Sequence, residues 1–350
     1  MNILIVGAGP TGLTAAVELS RRGLIPQIIE QRPSPSGLSR AVGILDHSLD
    51  LLTPSGVADA IRSEAISVQG FIIHHEATPL GCIPLAGLDG ASLHALAQDR
   101  TETHLHDALN RYGGKVRYGV SFLGLAQDDT GVTVDTSDGT ERYDLVIGAD
   151  GVGSQVRKAL GLAYPGHTLP ETWSIADVDA RGWPDPDWFQ AFLLPAGQVA
   201  IVVPLEKDRF RAISSTPDVL ADLPRKLDVS HVHRTGTFTI QVRQVEDYAK
   251  GRVYLAGDAA HSHSPVGGRG MNLGIADAAE LAQRIADATL EGYSAARHAK
   301  GQHVITLSER ARKLVQSKSW LTRAGVETAL RVITHVPPLA AKMGREIADA

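Results

Sequence analysis

The hexapeptide Gly7-Ala8-Gly9-Pro10-Thr11-Gly12, with Glu30 eighteen residues after its last glycine, constrains this chain more than any other feature. The four residues before it, Ile3–Val6, are all apolar and mostly β-branched, which reads as a short strand buried on both faces. Residues 13–22 then read as a helix stopped by Gly23, and 26–30 as a second strand. That is βαβ grammar at the start of the chain. In such a turn the first glycine permits the tight strand-to-helix reversal. The second lets a pyrophosphate approach the backbone, and the third lets helix and strand pack closely. The helix start adds unpaired N–H groups and the positive end of a dipole. A carboxylate at position 30 suits a ribose 2′-OH and disfavours a 2′-phosphate, so NADP is not expected in this cleft while NAD and FAD both remain.

Two further glycine-aspartate motifs follow. Residues 144–154 read as a buried strand running into Gly148-Ala149-Asp150-Gly151, with Arg157 shortly after. Residues 251–261 repeat the pattern, a buried strand ending on Gly257-Asp258. An aspartate at the carboxyl end of such a strand is well placed to bind a sugar hydroxyl. It is equally a common helix cap, and for Asp150 the two roles look alike in sequence. After Asp258 come Pro265, Gly267, Gly268, Arg269, Gly270, Met271 and Asn272, then a long helix. The 267–272 stretch can present several backbone N–H groups at a helix start, suited to the negative charge a reduced flavin develops near N1 and its C2 oxygen.

Charge and composition narrow the class. With 350 residues and 21% charged residues the chain reads as a soluble enzyme of about two domains. A formal charge of −5 disfavours nucleic acid and anionic membrane as partners. The single cysteine, Cys82, excludes an intrachain disulfide, disfavours a thiolate metal site and fits a reducing cytoplasm. The apolar N-terminal stretch lacks a basic start and is broken by glycines and Pro10, so it reads as strand and helix and not as a secretory signal. No membrane span is expected, because no apolar run is long enough.

Residues 101–112 read as a helix, and 116–118, 122–126, 132–135 and 145–147 as strands. The texture changes near Leu162. Trp173, Trp183, Trp188 and Phe189 fall in 162–248 among strand-like runs such as 199–204 and 210–214. This reads as a mostly antiparallel sheet inserted into the first domain. After Gly270 helical composition dominates.

Taken in order, the three motifs resemble those of the aromatic-ring hydroxylases with the para-hydroxybenzoate hydroxylase fold, the single-component FAD monooxygenases. The resemblance spans roughly residues 2–300. It implies an α/β (α+β) fold: a Rossmann-like FAD-binding domain over 1–161 and 249–300, an inserted substrate-binding sheet over 162–248, and C-terminal helices over 301–350. It implies FAD as cofactor, with NAD(P)H as a transient co-substrate because no second nucleotide fingerprint occurs. The implied FAD-binding residues are Gly7, Gly9, Pro10, Thr11, Gly12, Glu30, Gln31, Arg32, Arg40, Val42, Arg100, Leu123, Asp150, Gly257, Asp258, Pro265, Gly267, Gly268, Gly270, Met271 and Asn272. Arg40 matches an arginine near the phosphates and flavin edge, Arg100 one that contacts FAD near a helix start, and Leu123 a backbone position beside the adenine. Arg269 departs from the pattern, standing where many relatives carry glutamine. No further C-terminal domain is expected, and a monomer or homodimer is.

The implied chemistry is reduction of FAD by NAD(P)H, reaction with O2 to a flavin C4a-hydroperoxide, and oxygen transfer to a small aromatic or phenolic ring. The cofactor supplies the reactive atoms and the protein positions the substrate and excludes water. This agrees with the lack of a Ser-His-Asp or metal-ligand pattern. Phe189, Phe192, Leu194 and Val202 are candidate substrate lining, or the inserted sheet's own core. His47, His74, His75 and His233 are candidate bases by residue type only, and none is assigned; His261 and His263, which follow Asp258, are placed to line the cofactor entrance. The same architecture also serves prenyl reductases and non-redox flavoproteins. Flavin halogenases carry a W-x-W segment that is lacking here.

Overall fold

A computed structural model describes residues 1–35, 41–88, 91–264 and 268–349. Its first layer is a six-stranded sheet in the order Ala249–Lys250, Val253–Leu255, Leu145–Gly148, Ile3–Val6, Gln27–Glu30, Val116–Tyr118. All neighbours in it are parallel except the first pair. The central strands Ile3–Val6 and Leu145–Gly148 are buried at every residue, as unbroken apolar runs in a sheet covered on both faces must be. The crossover helix Pro10–Ser20 starts three residues earlier than the apolar pattern suggests, with proline at its first position, where the missing N–H costs nothing. It packs against the long Gly270–Ala286 helix. Closeness depends on glycine there: a Cβ at either Gly257 or Gly274 would stand 2.4 Å from the Thr11 hydroxyl. The sequence reading of 122–135 finds two strands, and the structure adds a third, Gly139–Tyr143, which completes an antiparallel meander.

The second layer is an eight-stranded sheet in the order His261–Ser262, Asp228–Gln244, Gly166–Arg181, Arg209–Ser214, Val199–Glu206, Trp188–Leu193, Gly70–His75, Thr78–Pro84. Two of these strands lie in residues 70–84, within the stretch the sequence reading assigns to the FAD-binding domain. Gly70–His75 pairs in parallel with Trp188–Leu193, across more than a hundred residues of chain. The inserted sheet therefore does not consist of 162–248 alone, and a local reading of residues could not have found so distant a partner.

The sheet has two apolar faces. Ala176, Val178, Ala200, Val202, Phe210 and Ala212 point to one and pack on Trp183, Phe192, Leu194, Val219 and Leu223. Phe189, Val203 and Leu205 point to the other and pack on Val42, Leu45, Leu93 and Ala95. This inner face meets the first layer through the small sheet Gly43–Leu45, Leu93–Ala95 and Ile66–Ser67. The chain continues through the helices Tyr293–Val315, Trp320–His335 and Pro337–Asp349. No helix among the described residues is long and apolar enough to cross a membrane.

Candidate FAD and substrate site

Strand register brings the three motifs together. Val6 lies opposite Gly148, and Gly148 opposite Leu255, so three adjacent parallel strands end side by side. Backbone bonds continue past the strand ends, from Ala149 N–H to Val6 O at 2.8 Å and from Ala256 N–H to Gly148 O at 3.0 Å. The carboxyl edge of such a sheet is where open α/β folds bind ligands.

Within the first turn the glycines do different things. Gly7 has φ +105°, and a Cβ there would stand 2.4 Å from Ala149 O. A Cβ on Gly12 would stand 2.0 Å from Gly7 O, so the third glycine lets the helix sit on its own turn. A Cβ on Gly9 would meet nothing within 4 Å, and no side chain caps the helix that Gly9 precedes. The second glycine thus borders open space beside unpaired helix N–H groups, which is what a diphosphate requires.

Glu30 is buried at the end of its strand and accepts from Ala8 N–H at 3.0 Å and Arg32 N–H at 2.9 Å, with the Arg32 guanidinium 3.1 Å away. Burial pushes its carboxyl up, but the Arg32 side chain and the Ala8 and Arg32 N–H groups outweigh this and hold it below the usual value. One carboxylate therefore fastens the turn to the strand end and lies on the open edge. Gln31 beside it is exposed. Gly119 N–H bonds to Arg32 O at 2.8 Å and Val120 N–H to Glu30 O at 3.0 Å, which brings the strand start bearing Leu123 alongside. Leu123 itself is 68% exposed.

Asp150 acts as a helix cap. It accepts from the Ser154 hydroxyl at 2.5 Å, Gln155 N–H at 2.7 Å and Val156 N–H at 3.1 Å. Burial nevertheless raises its pKa. Arg157, whose role the sequence does not reveal, joins the second motif to the third. Its guanidinium donates to Ala259 O and Val152 O, both at 2.8 Å, and lies 3.9 Å from the centre of the Tyr164 ring. Tyr164 in turn donates to Asp258 O at 3.1 Å. The Asp258 residue is exposed at the strand edge.

The turn before Asp258 is held from beneath by a residue the sequence reading missed. Asp277 is wholly buried, accepts Gly257 N–H at 2.9 Å, and pairs with His261 Nε2 at 2.6 Å and Arg297 Nε at 2.6 Å. Burial pushes its pKa up, but His261, Arg297 and the Gly257 N–H pull it down on balance. His261 therefore belongs to the core and does not line an entrance. The signal in the sequence is an aspartate set among small and apolar residues of that helix, Gly274-Ile275-Ala276-Asp277-Ala278-Ala279.

Asn272 clamps the glycine loop to the inner sheet. It donates to Gly43 O at 3.0 Å and Gly268 O at 3.1 Å, and accepts Leu45 N–H at 3.0 Å. Gly270 is the first residue of that helix and Met271 is buried behind it. Ala41 N–H bonds to Gln98 Oε1 at 3.1 Å, and Val42 is buried against the inner face. Arg100 is turned toward Glu64, at 2.6 and 3.0 Å. Arg40, Pro265 and Gly267 lie outside the described residues.

The structure divides the four candidate lining residues between the two faces of the large sheet. Phe192, Leu194 and Val202 sit on the outer face, in the sheet's own core, where Phe192 stacks on His74 with ring centres 4.5 Å apart. Only Phe189 of the four reaches the inner face, edge-on to Phe71 at 5.6 Å. Adjacent strand residues point to opposite faces, and alternation alone does not say which face is turned toward a partner layer. Ile201 and Val203 share the inner face with Phe189 and Phe71. Beside Ala41, the fully buried Arg211 pairs with Asp177 through two contacts of 2.7 Å, and its guanidinium lies 3.4 Å from Ala41 O.

Known proteins agree with this geometry. The protein family described as FAD binding domain matches residues 1–308. The chain is 32% identical to the rifampicin monooxygenase of Streptomyces venezuelae over 375 residues, covering 96% of this chain and 75% of that protein. It is also 32% identical to the pentachlorophenol 4-monooxygenase of Sphingobium chlorophenolicum, covering 81% of this chain but only 58% of that protein. In three dimensions it is similar to the p-nitrophenol 4-monooxygenase of Pseudomonas putida, with a TM-score of 0.88 at 23% identity over 99% of this chain and 98% of the other.

Proposed function

The chain belongs to the FAD-dependent aromatic monooxygenases, and from that premise we propose that its own substrate is a small, electron-rich aromatic compound held between the start of the Gly270–Ala286 helix and the inner face of the eight-stranded sheet. Bound FAD, reduced by NAD(P)H, supplies the activation of O2. The remaining work falls to the chain. Gly7, Gly9, Pro10, Thr11 and Gly12 cradle the diphosphate, and Glu30, Gln31, Arg32 and Leu123 border the adenosine. Arg100, Asp150 and the Gly257-Asp258 turn border the rest of the extended cofactor, and Gly268, Gly270, Met271 and Asn272 border the flavin ring. Phe71, Phe189, Ile201 and Val203 offer an apolar wall that keeps water from the reacting ring.

The observation that carries this reading is the register of Val6, Gly148 and Leu255, which supports a single elongated ligand running across three strand ends. The test is turnover by the purified yellow protein with NADH or NADPH and a panel of phenols under ¹⁸O2. Substrate-dependent O2 uptake with one labelled oxygen in the product supports hydroxylation. Flavin reduction with a saturated product and no label would replace the proposal with a reductase, and absence of bound flavin would remove it.

A further inference from the structure

Arg269 is the residue immediately before the Gly270–Ala286 helix, and only 7% of it is exposed. Its Nε is buried without a hydrogen-bond partner among the described residues, and no carboxylate pairs with it there. Burial, with no compensating charge, lowers its pKa. A buried cation without a counter-ion is strongly unfavourable even after relaxation.

Its surroundings add positive potential. No side chain caps the seventeen-residue helix that Arg269 introduces, so the free N–H groups and dipole of that end act in the same sense as the guanidinium. His263 lies beside this helix start, its ring nitrogen 3.9 Å from where a Gly270 Cβ would stand. That Nε2 is buried and unpartnered too, while Nδ1 is engaged at 2.8 Å with Ser264 O. Burial pulls His263 down to about 4, so it is neutral near pH 7 and offers a polar contact without a countercharge. An uncapped helix end and a nine-tenths-buried guanidinium whose Nε has no partner among the described residues meet at one place, and an anion would satisfy both, while the neutral His263 ring puts no opposing charge there.

FAD brings two kinds of negative charge. The diphosphate already has a cradle at the Pro10–Ser20 helix. The other charge appears on the flavin ring when hydride arrives: NAD(P)H and FAD give NAD(P)⁺ and the anionic FADH⁻, two electrons and one proton having moved together. We propose that Arg269 is the counter-charge for the anion the flavin ring becomes on reduction, and that this chain thereby holds its FAD at a higher potential than a neutral residue would allow. This rests on the reading that the ring lies at the start of the Gly270–Ala286 helix.

The test is the midpoint potential of bound FAD in the parent, Arg269→Gln and Arg269→Lys holoenzymes, with sulfite titration as a second measurement, since sulfite addition also places a negative charge on the ring. R269Q should bind reduced FAD ten- to a hundredfold less tightly relative to oxidised FAD, a fall of about 30–60 mV for a two-electron couple. It should weaken sulfite binding by a similar factor, while R269K stays near the parent in both. R269Q that holds FAD at an unchanged potential would overturn the proposal. So would equal loss of affinity for oxidised and reduced FAD, which would assign the charge to the diphosphate. A shift seen only with an aromatic substrate bound would assign it to the substrate, and loss of flavin from both variants would make Arg269 structural. A parent protein without flavin would fail the functional reading itself, and a loaded parent with an indifferent R269Q would fail only this one.

Discussion

One methyl group separates the roles of two glycines in the first turn. Gly9 has an ordinary extended backbone and open space where a Cβ would stand. Gly9→Ala is therefore expected to leave the fold as stable as before, or up to about 1 kcal/mol more so through the unfolded chain, while FAD affinity falls sharply. Gly12→Ala instead drives a methyl to 2.0 Å from Gly7 O. It should cost about 1–3 kcal/mol of stability as overpacking does, as well as FAD binding. Thermal melts of flavin-free protein beside FAD titrations check both, and a G9A variant as unstable as G12A would contradict the assignment. Acid stability offers a second residue-scale outcome. Unfolded histidine titrates near 6.5 and His263 in the fold at about 4. Between those values the unfolded chain binds more protons, so stability falls as pH drops from 6.5 to 4 and levels off below. The effect is on the order of 3 kcal/mol, and denaturant melts across that range should show it flattened in His263→Gln. Glu30 acts in a lower window: its depressed pKa gives stability that is complete above about 4.5 and lost as pH falls through its folded value.

At the scale of elements, the fold depends on one helix reaching three others. The Gly270–Ala286 helix carries Asn272, which clamps Gly43–Leu45, and Asp277, which holds the Gly257 turn and Arg297 of the Tyr293–Val315 helix. Asp277→Asn removes the charge facing a buried guanidinium. It should cost about 3–5 kcal/mol, the usual penalty for breaking a buried pair from one side. Asp277→Asn with Arg297→Met should recover part of that loss in a denaturant series, because the buried cation, left with Glu280 at 3.0 Å as its one carboxylate among the described residues, is gone. The elements legible in sequence were those whose pattern is local. Ile3–Val6 and Leu145–Gly148 are short, apolar throughout and bounded by glycine, so they read as buried strands and are. Gly70–His75 and Thr78–Pro84 escaped because their alternation is broken and the neighbouring strand lies more than a hundred residues downstream. Asp150 reads in the sequence as a cofactor residue with a helix cap as the alternative, because the two look alike there, and its bonds to Ser154, Gln155 and Val156 are those of a cap.

For the whole molecule, the consequence of packing two layers is that the large sheet has one face toward the small sheet of Gly43–Leu45 and Leu93–Ala95 and one turned away from it. Phe189 and Phe192 are three residues apart on one strand, so alternation puts them on opposite faces, but nothing local in the sequence says which of the two meets the other layer. Both are buried in apolar clusters, so truncation of either should cost stability, and Phe192→Ala, whose ring is 0% exposed, should cost about 3–5 kcal/mol. The functional outcomes should diverge. Phe192→Ala acts through the outer core with Trp183 and Phe210, so surviving folded enzyme should keep the parent's KM for the aromatic substrate and its yield of product per NAD(P)H. Phe189→Ala opens the wall between the sheet and Val42, admitting water to the reacting ring. It should raise that KM and divert reducing equivalents to hydrogen peroxide. Product and peroxide measured per NAD(P)H consumed, at a temperature where both variants are folded, decide the matter. Equal coupling in the two variants would mean that the inner face is not the substrate wall, and a loss confined to Phe192→Ala would place the pocket on the other side of the sheet.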